Sequence, residues 1–129
     1  MILTLKDGET EVDIEKLINI VNKSKTKKIK IPMSSFALMP VNGTWPDTKG
    51  NYWRLIDILN YRNKNKFFKD HYKRIVNADV KYPILLDGNK EDFDVVDGFH
   101  RISKQILNDE PFIEGVFLTP TQIKKAKPD

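Results

Sequence analysis

The run Val95-Val96-Asp97-Gly98-Phe99-His100-Arg101 gathers the side chains best suited to chemistry in this sequence. Two β-branched residues read as the end of a strand, and Gly98 lets the backbone turn sharply and approach a ligand with no side chain in the way. A helix starting at Phe99 then points its free first-turn amides at one spot, where the helix dipole favours an anion. His100 and Arg101 add donors in that turn, and arginine's planar fork suits a phosphate bidentately. Asp97, at the strand end, has four roles open to it: capping the helix, orienting His100, holding a divalent metal or acting as a base. The plainer alternative makes Asp97 only an N-cap and Arg101 only a surface cation. Two bulky polar residues inside the first turn add nothing to a core, whereas they make an anion cradle. That favours the functional reading.

Such a turn needs a strand before it and an amphipathic helix after it. Phe93 to Val96 supplies the strand, and Phe99 to Leu107 carries Ile102, Ile106 and Leu107 at helical spacing. Pro83-Ile84-Leu85-Leu86 is a continuous apolar run, as in a strand buried on both faces, and it predicts an antiparallel hairpin with a loop of about five or six residues. Upstream, residues 1–5 read as an edge strand followed by an Asp7-Gly8 turn. Asp13 reads as the N-cap of a helix with Ile14, Leu17, Ile18 and Val21 on one stripe. Lys28 to Ile31 alternates as a half-buried strand that stops at Pro32. Ser34 or Ser35 is expected to cap a short helical turn through Met39, ended by Pro40.

Val41 to Asn51 reads as an irregular loop holding Trp45, which either anchors that loop to the core or serves as a lid. Tyr52 to Tyr61 and Asn65 to Asn77 read as helices, the second with Phe68, Tyr72, Ile75 and Val76 on one face. His71, one turn before Ile75, reads as a hydrogen-bonded structural histidine. Phe112 to Leu118 is the last strand, and Pro120 is placed to start a short basic helix. These elements describe one α/β (α+β) domain with a small mixed sheet and flanking helices.

A chain of 129 residues with 40% hydrophobic content suits one modest core and excludes wholesale disorder. No apolar run approaches the roughly 20 residues of a membrane span, and the N-terminus lacks the layout of a signal peptide. The absence of cysteine excludes disulfides, thiolate zinc sites and cysteine nucleophiles, and fits a reducing, cytoplasmic setting. The net charge of +4 is unevenly spread. Asp7, Glu9, Glu11, Asp13 and Glu15 precede Lys23, Lys25, Lys27, Lys28 and Lys30, and a second basic region holds Arg62, Lys64, Lys66, Lys69, Lys73 and Arg74. Nucleic acid or phosphorylated small molecules are the natural partners of such patches, and a solvated surface is the alternative.

Asp97-Gly98-Phe99-His100-Arg101 and its helix resemble the signature of the ParB/sulfiredoxin superfamily, most closely its small stand-alone ParB-like domain proteins. His71, Arg74-Ile75, Ala78-Asp79, Tyr82-Pro83-Ile84 and Lys104 match further positions of that pattern, and Ile29 to Pro32 resembles its first strand. The resemblance covers about residues 28–118, leaving 1–27 as a strand–helix extension and 119–129 as a short basic tail. It implies a bound nucleotide, ATP or CTP, with Gly98, His100 and Arg101 at its phosphates and Lys104 steering them. Phe99 stands where sulfiredoxins carry their catalytic cysteine, which excludes their chemistry. The chain also ends too soon for the helix-turn-helix domain of chromosome-partitioning relatives. The expectation is a nucleotide-binding domain that hydrolyses or transfers a phosphoryl group, with Asp97 and His100 as catalytic residues and Asp97 holding a magnesium ion. Two alternatives stand beside it: a nucleic-acid-binding protein or nuclease using Asp94 with Asp97, and a non-catalytic regulatory interaction protein. No membrane partner is expected.

Overall fold

A computed structural model describes residues 1–129. In chain order the elements are β1 (Ile2–Thr4), β2 (Glu11–Asp13), α1 (Ile14–Lys23), β3 (Ile29–Pro32), β4 (Trp45–Pro46), β5 (Tyr52–Trp53), α2 (Leu55–Asn60), α3 (Lys66–Asn77), β6 (Ile84–Asn89), β7 (Asp92–Asp97), α4 (Phe99–Leu107), β8 (Phe112–Phe117) and α5 (Pro120–Lys125). The class is α+β. The longest helix, α3, has 12 residues, and no helix is long and apolar enough to cross a membrane.

The chain folds as two compact units, interleaved in sequence. The first comprises Met1–Lys30, Pro83–Gly98 and Glu114–Asp129. A four-stranded sheet of order β3-β8-β6-β7 runs through it. The sheet is mixed: β6 pairs antiparallel with β7 and parallel with β8. Asp13 caps α1 by accepting from the Lys16 amide at 3.2 Å, and Ile14, Leu17 and Val21 face inward, as their spacing predicts. They join Val12, Leu85, Val116 and Ala126 in one core. The N-terminal hairpin and the C-terminal helix are therefore structural parts of this unit. Thr119 and Gln122 cap α5 reciprocally, and the Gln122 amide also donates to Thr26 at 2.6 Å.

The second unit comprises Ile31–Tyr82 and Phe99–Ile113, with Leu55, Ile58, Phe68, Ile75 and Ile102 at most 3% exposed. The buried carboxylate of Asp57 accepts a two-pronged bond from Arg54, 2.9 Å on each side, and also receives the Arg54 amide at 2.9 Å, which fixes the start of α2. Asn65 caps α3 through the Phe68 amide.

Several expectations are corrected. The polar stretch 87–92 is mostly strand: Asn89 pairs with Asp92, and only Lys90 and Glu91 turn the corner. That end of the hairpin is exposed, so both ladder faces accept polar residues. Neither Ser34 nor Ser35 caps a helix; two 3-10 turns, Met33–Phe36 and Met39–Val41, stand there instead. Pro40 sits inside the second one, in its first turn, where a missing N–H costs nothing. Tyr52 and Trp53 belong to a strand paired with Trp45 and Pro46, and Val76 is 48% exposed.

Gly98 has a φ of +127°, and a Cβ there would lie 2.4 Å from Cγ2 and 2.9 Å from Cβ of Ile84. Gly98 is buried, so its missing side chain makes room for Ile84; that replaces the expected role of admitting a ligand. Gly98→Ala therefore combines backbone strain with overpacking and should cost about 3 kcal/mol. Gly50→Ala, at φ +86° with open space around the missing Cβ, should cost only about 1 kcal/mol. Urea denaturation of the two variants measures the difference; equal losses would mean that contact with Ile84 adds nothing.

Candidate functional site

Three rings converge in the second unit. His71 shares the inward side of α3 with Phe68 and Ile75, three residues before it and four after. His100 is the second residue of α4, and Trp45 comes from β4. His71 Nδ1 lies 3.0 Å from His100 Nε2. The two imidazole planes differ by only 13° with centroids 5.2 Å apart, so the bond runs head-on within a common plane. Trp45 lies 5.4 Å from the His100 ring at 26° and 5.5 Å from the His71 ring at 39°. Phe67 presents an edge contact to His71 at 4.6 Å.

This setting suppresses protonation. Desolvation is the largest cause for both rings. His100 is pushed down to about 4, with the His71 ring and the guanidinium groups of Arg74 and Arg101 acting in the same direction. His71 is lowered by burial and by Arg74, against a smaller opposing effect of Asp70. At neutral pH both rings are uncharged. One inner nitrogen then donates and the other accepts, which leaves one N–H and one lone pair on the outer nitrogens, His71 Nε2 and His100 Nδ1. No buried side-chain nitrogen or oxygen lacks a partner, and the protein supplies none to these two atoms, so both reach solvent.

The other candidate residues take different places. Lys104 donates from Nζ to the Ala78 carbonyl at 2.8 Å, at the residue that ends α3. It caps that helix, favourably placed against its dipole, rather than steering phosphates. Arg101 donates from one guanidinium nitrogen to the Tyr82 carbonyl at 3.1 Å. Trp45 is only 6% exposed and packs against the two histidines, the place of a residue that anchors its own loop. Asp97 ends β7 opposite Leu85, and Asp94 pairs with Asp87. A register shift at Leu85/Leu86 inserts one extra residue into β7 between them, so Asp94 and Asp97 take the one face of the hairpin that Asp87 and Leu85 share. No group of three or more His, Asp or Glu side chains is placed to hold a metal. Sequence reasoning passed over Arg74 as a site residue and gave His71 no chemical partner. The available signal was His71's place on the apolar stripe of α3. The chain matches no family model, no curated protein and no solved structure.

Both histidines have folded-state pKa values below the ordinary 6.5, so between about pH 6.5 and His100's value near 4 the unfolded chain binds more protons than the folded one. Their environment is accommodated fully above pH 6.5 and stability falls as pH drops through that window. The wild-type melting temperature should decrease from pH 7.5 to 5.0, and His100→Gln should show a shallower decrease. Asp57, held low by Arg54, loses its contribution only at more acidic pH and does not confuse the comparison. Parallel slopes for the two proteins would remove the pair as the cause.

Proposed function

We propose that this chain binds a phosphate-bearing ligand, a nucleotide or a phosphorylated small molecule, at the start of α4. The observation that supports it is the neutral His71–His100 pair, open to solvent at its outer nitrogens and under the electrostatic influence of Arg74 and Arg101. Two guanidinium groups beside two uncharged imidazoles form an electropositive place that hydrogen-bonds readily, and an anion satisfies it. The first-turn amides of α4 add to the same preference. A resemblance to ParB-like domains points the same way, on Arg101 and His100.

The reading extends to hydrolysis or transfer of a phosphoryl group, with His100 as the proton acceptor. An imidazole with a pKa near 4 is uncharged at neutral pH but only a weak base, so positioning with charge neutralisation supplies most of what phosphoryl transfer needs here. A magnesium ion in this reading is held chiefly by the nucleotide's own phosphates, with one or two carboxylates sufficing on the protein side. Asp97 is assigned no step.

Arg101→Ala and Arg74→Ala should each weaken binding of ATP or CTP by about 1.5–3 kcal/mol, the range for hydrogen bonds to charged groups. Arg101→Lys should recover part of the loss, since a point charge replaces a two-pronged donor. Because Arg101 also holds the Tyr82 carbonyl, its alanine variant lowers the ligand-free melting temperature as well. The quantity to compare is thus the shift caused by nucleotide in each protein. Equal shifts in wild type and both alanine variants would overturn the site.

A further inference from the structure

We propose that the exposed face of α3, with the turn that precedes it, binds the backbone of a single-stranded nucleic acid. This surface is separate from the histidine pair and does not rest on the reading of the α4 start. Arg62, Lys64, Lys66, Lys69 and Lys73 are all exposed, while Phe68 and Ile75 turn the opposite side of α3 into the core. The only acidic residue between positions 62 and 73 is Asp70, and it is tied to Lys66 at 2.7 Å. Positive charge therefore dominates, with Asp70 offsetting one of the five cations.

The placement suits a strand of phosphates. Lys66 to Lys73 spans about 10 Å along the helix at 1.5 Å per residue. A single strand is not held to the rise of a duplex, so successive phosphates can adjust their spacing to these cations. Arg62 sits with its guanidinium carbon 5.7 Å over the Tyr72 ring, which brings it from the preceding turn beside the same stretch of helix. Lys64 lies 5.0 Å over the ring of Tyr61, and Tyr61 is 42% exposed. An exposed ring with one cation over it offers an unpaired base a stacking surface once Lys64 swings from the ring to a phosphate. A duplex keeps its bases inside and gains nothing from that ring. An acidic protein surface has no bases to place there.

The test uses the full chain and a fluorescein-labelled 12-nucleotide oligothymidylate, followed by anisotropy from 50 to 200 mM salt. With four or five phosphates contacted, log K against log salt should fall with a slope of about −3. Lys69→Glu/Lys73→Glu should reduce affinity at least tenfold at 50 mM salt and flatten the slope by about 1.4, the share of two contacts. That variant should leave the nucleotide-induced melting shift unchanged, while Arg101→Ala should leave oligonucleotide binding unchanged, so failure here and failure of the α4 site read out separately. A charge-matched control, Lys25→Glu/Lys28→Glu, should bind within threefold of wild type. The proposal is overturned by absent or salt-independent binding, by an equal loss in the control, by tighter binding of a duplex of the same length, or by polyglutamate competing as well as unlabelled oligothymidylate.

Discussion

The junction between β7 and α4 depends on a side chain that is not there. At φ +127° Gly98 occupies backbone space that L-residues avoid, and Ile84 fills the place where a Cβ would be. Strand β6 carries Ile84 fully buried, so the strand cannot retreat to admit a methyl group. The position therefore accepts only glycine, and α4 begins at the next residue. A glycine in this motif earns its place through packing of the first unit's core before any ligand is considered.

The helices were legible because capping and periodicity agreed. Asp13 and Asn65 are residues that prefer the N-cap, each is followed by an apolar stripe, and both accept the amide three residues on. Phe99 to Leu107 follows the same logic with glycine as its boundary. The β6–β7 hairpin was misjudged at its tip because Asp87, Gly88 and Asn89 favour turns in isolation. Two-sided exposure there allows the ladder to continue to Asn89 and Asp92. The β4–β5 ribbon was illegible for another reason: its turn is held by one side chain. Asp47 accepts the amides of Lys49 and Asn51 and the indole N–H of Trp53 at 2.8–3.0 Å, contacts that hold its carboxyl down at about 2. No period in the sequence announces such a hub.

The candidate site was half legible for a related reason. His100, Arg101 and Trp45 stood out by residue type, and their types alone suggested a cradle, a fork and a cover. Their partners are set by tertiary packing between residues tens of positions apart. His71 and His100 are separated by 29 residues, and Lys104 reaches back 26 to Ala78. A lysine one turn after an arginine on a helix looks like a second phosphate ligand until the end of another helix is found beneath it. The residues kept their importance while several exchanged roles.

Two neutral imidazoles in one plane also behave differently from two independent ones. Their shared proton can belong to His71 or to His100, and each choice reverses which outer nitrogen donates and which accepts. A proton taken up at one end can thus be released at the other without either ring becoming a lasting cation. Trp45 and Phe67 hold the ring planes by contact, so the exchange needs no reorientation of the rings. Burial biases this pair against charge, and Arg74 at both rings and Arg101 at His100 add to it. A phosphate placed beside the same two arginines would offset their share of that bias and favour a proton on the pair, which would couple anion binding to proton uptake. By linkage the reverse holds equally: a proton on the pair strengthens the hold on the anion.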